Sequence, residues 1–149
     1  MPSFVYEFKN YKKMYPEDIV IPMKEQLTLN GFEDLTSVEK VDEALKKEGT
    51  TLVMINSVCG CAAGAARPGV LMSLTGDKLP DNLTTVFAGF DLDAVKRVRE
   101  YLMPFPPSSP AVALFKNGEL VHMLERHHIE GHPAEAIAAN LKEAYQEFV

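Results

Sequence analysis

Residues 51–68, Thr-Leu-Val-Met-Ile-Asn-Ser-Val-Cys-Gly-Cys-Ala-Ala-Gly-Ala-Ala-Arg-Pro (TLVMINSVCGCAAGAARP), change character part-way along. Thr51 to Asn56 is a continuous apolar run rich in β-favouring residues, the pattern of a central strand covered on both faces. Ala62 to Leu74 reads as a helix that Pro68 kinks or divides. Between them stand the only two cysteines of the chain, Cys59 and Cys61, separated by Gly60. A strand feeding a helix through so short a turn places both thiols at the helix N-terminus. Unpaired amides and the positive end of the helix dipole lie there.

Working outward, the flanking segments repeat the alternation. Tyr15 to Gly31 reads as a first helix, starting or bending at Pro22, with Gly31 as its stop. Thr36-Ser37-Val38-Glu39 has the form of a capping box opening a helix through Val38, Val41, Ala44 and Leu45 to Gly49. Gly76 to Asn82 is a polar loop, and Thr84 to Ala88 a second buried strand. Asp91 is expected to cap a helix with Leu92, Val95, Val98 and Leu102 on one stripe. Met103 to Pro110 holds four prolines and is an extended loop. Ala111 to Lys116 and Glu119 to Glu125 flank Asn117-Gly118, a strong hairpin signal. Pro133 opens a last helix carrying Ile137, Leu141, Ala144, Tyr145 and Phe148 on one face. The alternating first half implies a parallel crossover, and the hairpin adds antiparallel strands to the same sheet. The expectation is one domain, an α/β three-layer sandwich with a mixed central sheet.

Composition narrows the function. The chain has 149 residues, with 15 basic and 21 acidic side chains and a net charge of −6. No basic stripe suits a phosphate backbone, and no apolar run suits a bilayer, so neither nucleic acid nor membrane is an expected partner. The N-terminus lacks the apolar stretch of a secretory signal, which points to the cytoplasm. In that reducing compartment two cysteines are more often catalytic or metal-binding than a structural staple.

The helix-start position lowers a thiol pKa, and the thiolate is the nucleophile of disulfide exchange. Cys59 is read as the attacking sulfur at the cap and Cys61 as the resolving thiol in the first turn, the reverse order remaining open. Gly60 is expected to let the chain turn sharply enough to close a small, strained and easily reduced ring. Asn56 and Ser57 are placed to orient the loop by hydrogen bonds. Ser108-Ser109-Pro110 precedes a strand; a cis peptide before Pro110 would present the neighbouring backbone groups, including those of Ser109, to an incoming peptide or thiol. Arg67, the only cation near the thiols in sequence, would steady a thiolate or bind a carboxylate of a low-molecular-weight thiol, unless it lies on a solvated helix face.

At these residues the chain resembles the bacilliredoxin family. The segments that carry the likeness are NSVCGCAAGAARP (56–68), TVFAGFD (85–91), PSSPAVALFKNGELVHMLERH (107–127), IEGH (129–132) and, earlier, PMKEQLTLNGFEDLT (22–36). The resemblance implies a thioredoxin-like fold, a Cys-Gly-Cys redox site at Cys59 and Cys61, and a cis Pro110. It also implies removal of bacillithiol from S-bacillithiolated proteins, with bacillithiol as thiol substrate or co-substrate and no other cofactor. The family pattern makes the first cysteine the attacking one. Met1 to Tyr15 is longer than that pattern and is read as an N-terminal extension: an extra strand, an arm or a homodimer contact. Two other functions fit the same residues. One is a protein disulfide isomerase or general thiol–disulfide oxidoreductase. The other is a non-enzymatic metal protein using the cysteines with His127, His128 and His132, although Cys-x-Cys is a poor chelate spacing.

Overall fold

The computed structural model describes residues 13–149; most of the expected N-terminal extension, residues 1–12, lies outside the described residues. Helix α1 (Glu17–Thr28) is followed by a two-residue strand β1 (Glu33–Asp34), helix α2 (Val38–Leu45) and strand β2 (Thr50–Asn56). A π-helical turn, Ala62–Ala66, runs directly into α3 (Arg67–Ser73). Then come β3 (Asn82–Phe87), α4 (Leu92–Tyr101), the hairpin β4 (Ala111–Lys116) and β5 (Glu119–Leu124), a single turn α5 (Arg126–Ile129), and α6 (Ala134–Phe148).

The sheet order is β1-β3-β2-β4-β5. β3 runs parallel to both β1 and β2, while β4 is antiparallel to β2 and to β5. Every residue of β2 is buried, as its unbroken apolar run requires of a strand covered on both sides. Leu52 and Met54 enter one core with Val70 of α3 and Ile137 and Leu141 of α6. Val53 and Ile55 enter the other with Val41 and Leu45 of α2 and Val95 and Val98 of α4. The expected three-layer sandwich with a mixed sheet is therefore present. Among the described residues no helix is long and apolar enough to cross a membrane.

Several local expectations change. α1 starts at Glu17, so of the two readings of Pro22 the one that keeps it inside the helix holds and the one that starts the helix there does not. The cap of α2 is Ser37, whose Oγ accepts from the Lys40 amide at 3.2 Å, so the capping register lies one residue beyond the one expected from Thr36. β3 begins two residues before Thr84. Its threonines bury their hydroxyls by donating to strand carbonyls, Thr84 to Leu52 O at 2.9 Å and Thr85 to Met54 O at 2.8 Å. Asp91 heads α4, but its side chain caps no amide of that helix. Its carboxylate instead accepts from the Phe87 amide at 3.1 Å and pairs with Lys24 Nζ at 2.9 Å, a nearly buried charge that also pairs with Asp34 at 3.0 Å. A buried ammonium needs such partners more than α4 needs a cap. The hairpin turn is as expected: Asn117 and Gly118 have φ of 51° and 82°, the left-handed pair that a two-residue turn requires.

The Pro68 break takes a specific form. Proline offers no amide and its ring displaces the carbonyl four residues back. The preceding turn widens, and the Arg67 amide donates to the carbonyl of Ala62, five residues earlier. One turn further on, α3 crosses α6 closely at Gly69. A Cβ there would lie 2.7 Å from Ile137 Cβ and 2.9 Å from the Ala134 carbonyl oxygen. Gly69→Ala is expected to destabilise the protein by about 1–3 kcal/mol, because the obstructing atoms are backbone and a branched side chain. Urea unfolding of the two proteins checks this; an unchanged midpoint would mean that the helices separate freely.

Candidate active site

The site grows from the C-terminal end of β2. Asn56 is fully buried; its Nδ2 donates to the Met23 carbonyl at 3.2 Å, and its Oδ1 accepts from the Ser57 amide at 2.8 Å. Ser57 Oγ in turn accepts from the Cys59 amide at 3.3 Å. The Cys59 carbonyl accepts from the amides of Ala62 and Ala63 at 3.1 and 3.2 Å. Cys59 thus stands where the chain enters the helix, with Cys61 in the first turn. Both are free, partly exposed thiols, and their sulfurs lie 2.7 Å apart.

The two sulfurs differ electrostatically. Burial pushes the Cys59 thiol up, but hydrogen bonds from Cys61, Ser57 and the Ala62 amide, with the charge of Arg126, outweigh it and bring its pKa below the usual thiol value. Burial also pushes Cys61 up, and there the bond to Cys59 and the negative charge on that sulfur add to it, so Cys61 lies above the usual value. The shifts run in opposite directions, so Cys59 gives up its proton more readily than Cys61.

Gly60 is not where a glycine is needed for backbone freedom in this dithiol. It is absent from the positive-φ residues, and an added Cβ would meet no heavy atom within 4 Å. It already belongs to the first helical turn.

Of the readings expected for Arg67, two are overturned and one, a cation close to the Cys59 thiolate, remains. It is 1% exposed, so it is not on a solvated face, and its guanidinium is closed to a ligand's carboxylate. It donates from Nε to Gln26 Oε1 at 2.7 Å and from Nη1 to Asn56 Oδ1 at 2.9 Å and the Ser57 carbonyl at 2.8 Å. It braces the floor of the cysteine loop from within. Burial lowers its pKa, and the proximity of Cys59 opposes that shift.

The proline-rich loop closes the other side. The Ser109–Pro110 peptide bond is cis, as is Met103–Pro104. The Ser109 carbonyl oxygen accepts from Arg126 Nη1 at 3.1 Å, and Ser108 Oγ accepts from the Arg126 amide at 3.3 Å. Arg126 is the residue that sequence reasoning missed. It is remote from the thiols along the chain, and only the β4–β5 hairpin returns it to them. Its place immediately after a strand that pairs with β4 is the one signal that could have found it.

The histidines do not join the cysteines. Among the described residues the group with metal-ligand proximity is Glu125, His127 and His128, without either cysteine or His132. Glu125 and His128 already satisfy one another as a capping box: each side chain accepts from the other's amide, His128 Nδ1 from the Glu125 amide at 3.0 Å.

A family described as disulphide isomerase matches residues 15–149. A bacilliredoxin of Cytophaga hutchinsonii is 59% identical over 134 residues, which cover 90% of this chain and 99% of that protein. The chain belongs to the bacilliredoxin family. A bacilliredoxin of Halalkalibacterium halodurans is 53% identical over 134 residues, covering 89% of this chain and 93% of the relative. Among solved structures, a protein with a thioredoxin fold superposes with a TM-score of 0.60 at 16% identity, over 76% of this chain and 96% of that one. Plasmodium falciparum thioredoxin superposes with a TM-score of 0.52 at 21% identity, over 78% and 99%. The fold of this bacilliredoxin-family chain is thus thioredoxin-like, and its relatives support a thiol–disulfide oxidoreductase role in general. The family match begins at residue 15, so the N-terminal extension falls almost wholly outside it.

Proposed function

We propose that this protein removes bacillithiol from S-bacillithiolated proteins, with Cys59 as nucleophile and Cys61 as resolving thiol. The observation that carries the reading is the pair itself: two free thiols 2.7 Å apart at a helix entrance, Cys59 the more readily ionised of them. The Cys59 thiolate attacks the bacillithiol sulfur of the mixed disulfide. The client leaves as a thiolate, and bacillithiol becomes disulfide-bonded to Cys59. Cys61 then loses its proton and attacks Cys59, forming the Cys59–Cys61 disulfide and releasing bacillithiol; alternatively a second bacillithiol attacks the adduct, restoring Cys59 and leaving as bacillithiol disulfide. Bacillithiol is thus substrate or co-substrate, client proteins are the partners, and the cytoplasm, where thiols stay reduced, is the compartment.

The broader reading is a general protein disulfide oxidoreductase or isomerase, favoured by the description of the matching family. Reduced protein mixed with one client carrying bacillithiol, and separately with a scrambled-disulfide protein, separates the two. The expected result, read by intact-protein mass, is loss of the bacillithiol mass from the client with rescue of the scrambled protein at least about tenfold slower. A client that keeps its full adduct mass would end the bacillithiol reading.

A further inference from the structure

Two arginines influence the thiols, and they are built differently. Arg67 is 1% exposed, with Nε and Nη1 engaged by acceptors inside the protein. Arg126 has a side chain 42% exposed. Its Nη1 donates to the Ser109 carbonyl and its Nε to Glu130 Oε2 at 3.1 Å, while Nη2 has no partner among the described residues. We propose that Arg126 is a specificity-determining residue that receives a carboxylate of the low-molecular-weight thiol carried by the mixed disulfide. This inference rests on the oxidoreductase reading and names the chemistry of its small-thiol partner.

Four observations lead there. A guanidinium fork matches a carboxylate with two parallel hydrogen bonds, whereas an ammonium or a backbone amide does not. Arg126 holds the Ser109 carbonyl just before β4, whose Ala111 pairs with Ile55 at the end of β2 that leads to Cys59, so an anion on its free edge is held at the same end of the sheet as the thiols, on which its charge also acts. The protein carries a net charge of −6, so an anionic thiol approaches against the overall field and needs a local cation. Finally, its bond to the Ser109 carbonyl fixes the Arg126 guanidinium beside the backbone that precedes Pro110.

Glu130 marks the place of the ligand. Its carboxylate is 62% exposed and pairs with Arg126 through one helical turn. Such an exposed pair contributes little, so a substrate carboxylate can displace it at small cost. Glu130 is therefore a placeholder that a bound thiol replaces.

The test uses one client with a single surface cysteine, disulfide-linked in turn to bacillithiol, to glutathione and to 2-mercaptoethanol. The first two thiols carry carboxylates and the third is neutral. Arg126→Gln removes a cation that favours the Cys59 thiolate and so slows all three reactions; the readout is the ratio between them. Relative to wild type, Arg126→Gln is expected to raise KM for the carboxylate-bearing adducts about tenfold more than for the neutral one. Arg126→Lys should recover the general slowing more than the discrimination, and Glu130→Gln should lower KM for the carboxylate-bearing adducts alone. Equal losses on all three adducts, or Glu130→Gln without effect on the ratio, would overturn the assignment and leave the oxidoreductase reading standing. A wild-type protein inactive on all three would sink both.

Discussion

Cys59→Ala should lose at least about a thousandfold of the stripping rate, whereas Cys61→Ala should keep the first transfer and stop at a Cys59–bacillithiol adduct. The asymmetry follows from which sulfur ionises more readily. Thiolate, not thiol, attacks, and Cys59 is the sulfur whose pKa is lowered. Burial raises Cys61 most, and the bond to Cys59 and the charge on that sulfur add to it; once Cys59 is consumed in the adduct those two contributions are gone and Cys61 ionises more readily. The pH dependence has a definite sign. In wild type the rate of Cys59 alkylation rises with pH through a midpoint that lies below that of an ordinary thiol, and levels off above it. Removing Cys61 removes a hydrogen bond to the Cys59 thiolate, so in Cys61→Ala the plateau moves to higher pH. Stopped-flow alkylation across pH and intact-protein mass after mixing with client read both effects. A Cys61→Ala protein that forms no adduct while Cys59→Ala still strips the client would reverse the assignment of the two sulfurs.

Arg67→Met is expected to cost about 2–4 kcal/mol of stability, near the upper end for a single substitution. Methionine fills much of the same volume, so the loss comes from hydrogen bonds rather than from a cavity. The Ser57 carbonyl and Gln26 Oε1 lose charged donors, each a loss of about 1–3 kcal/mol. Relief from burying a guanidinium offsets part of this. Asn56 Oδ1 retains the Ser57 amide, which limits the damage. The expected fall in Tm is roughly 5–15 °C for a chain of this length. The cysteine loop should loosen with it, and the Cys59 thiol should drift up as its buried cation disappears. Arg67→Lys keeps a charge but cannot serve both sides of the loop, so it should fall between the two. Calorimetry of the reduced proteins decides the matter; a Tm within 2 °C of wild type would show that Arg67 is not the brace the geometry describes.

Much of this was legible in local patterns. The Thr51–Asn56 run could only be a strand enclosed on both faces, and Asn117-Gly118 could only be a tight hairpin, because each depends on residues adjacent in sequence. The parallel pairing of β2 with β3, and an antiparallel hairpin in the same sheet, followed from the order of elements, but which hairpin strand lies beside β2 did not. β1 was not legible, since two residues, Glu33 and Asp34, carry no periodicity. The Asp91 cap misled because any Asp before an apolar stripe looks alike; its neighbour Lys24, on another helix, decided where its carboxylate points.

That a strand meets a helix at two glycine-spaced thiols, and with it the class of chemistry, could be read from the order of residues alone, because dipole, amide supply and spacing are local properties of the chain. Which cations serve those thiols was settled by folding. It buried Arg67 beneath the loop and carried Arg126 back along the β4–β5 hairpin to the sulfurs. Electrostatic influence depends on distance and solvent exposure, and neither is written in the order of residues.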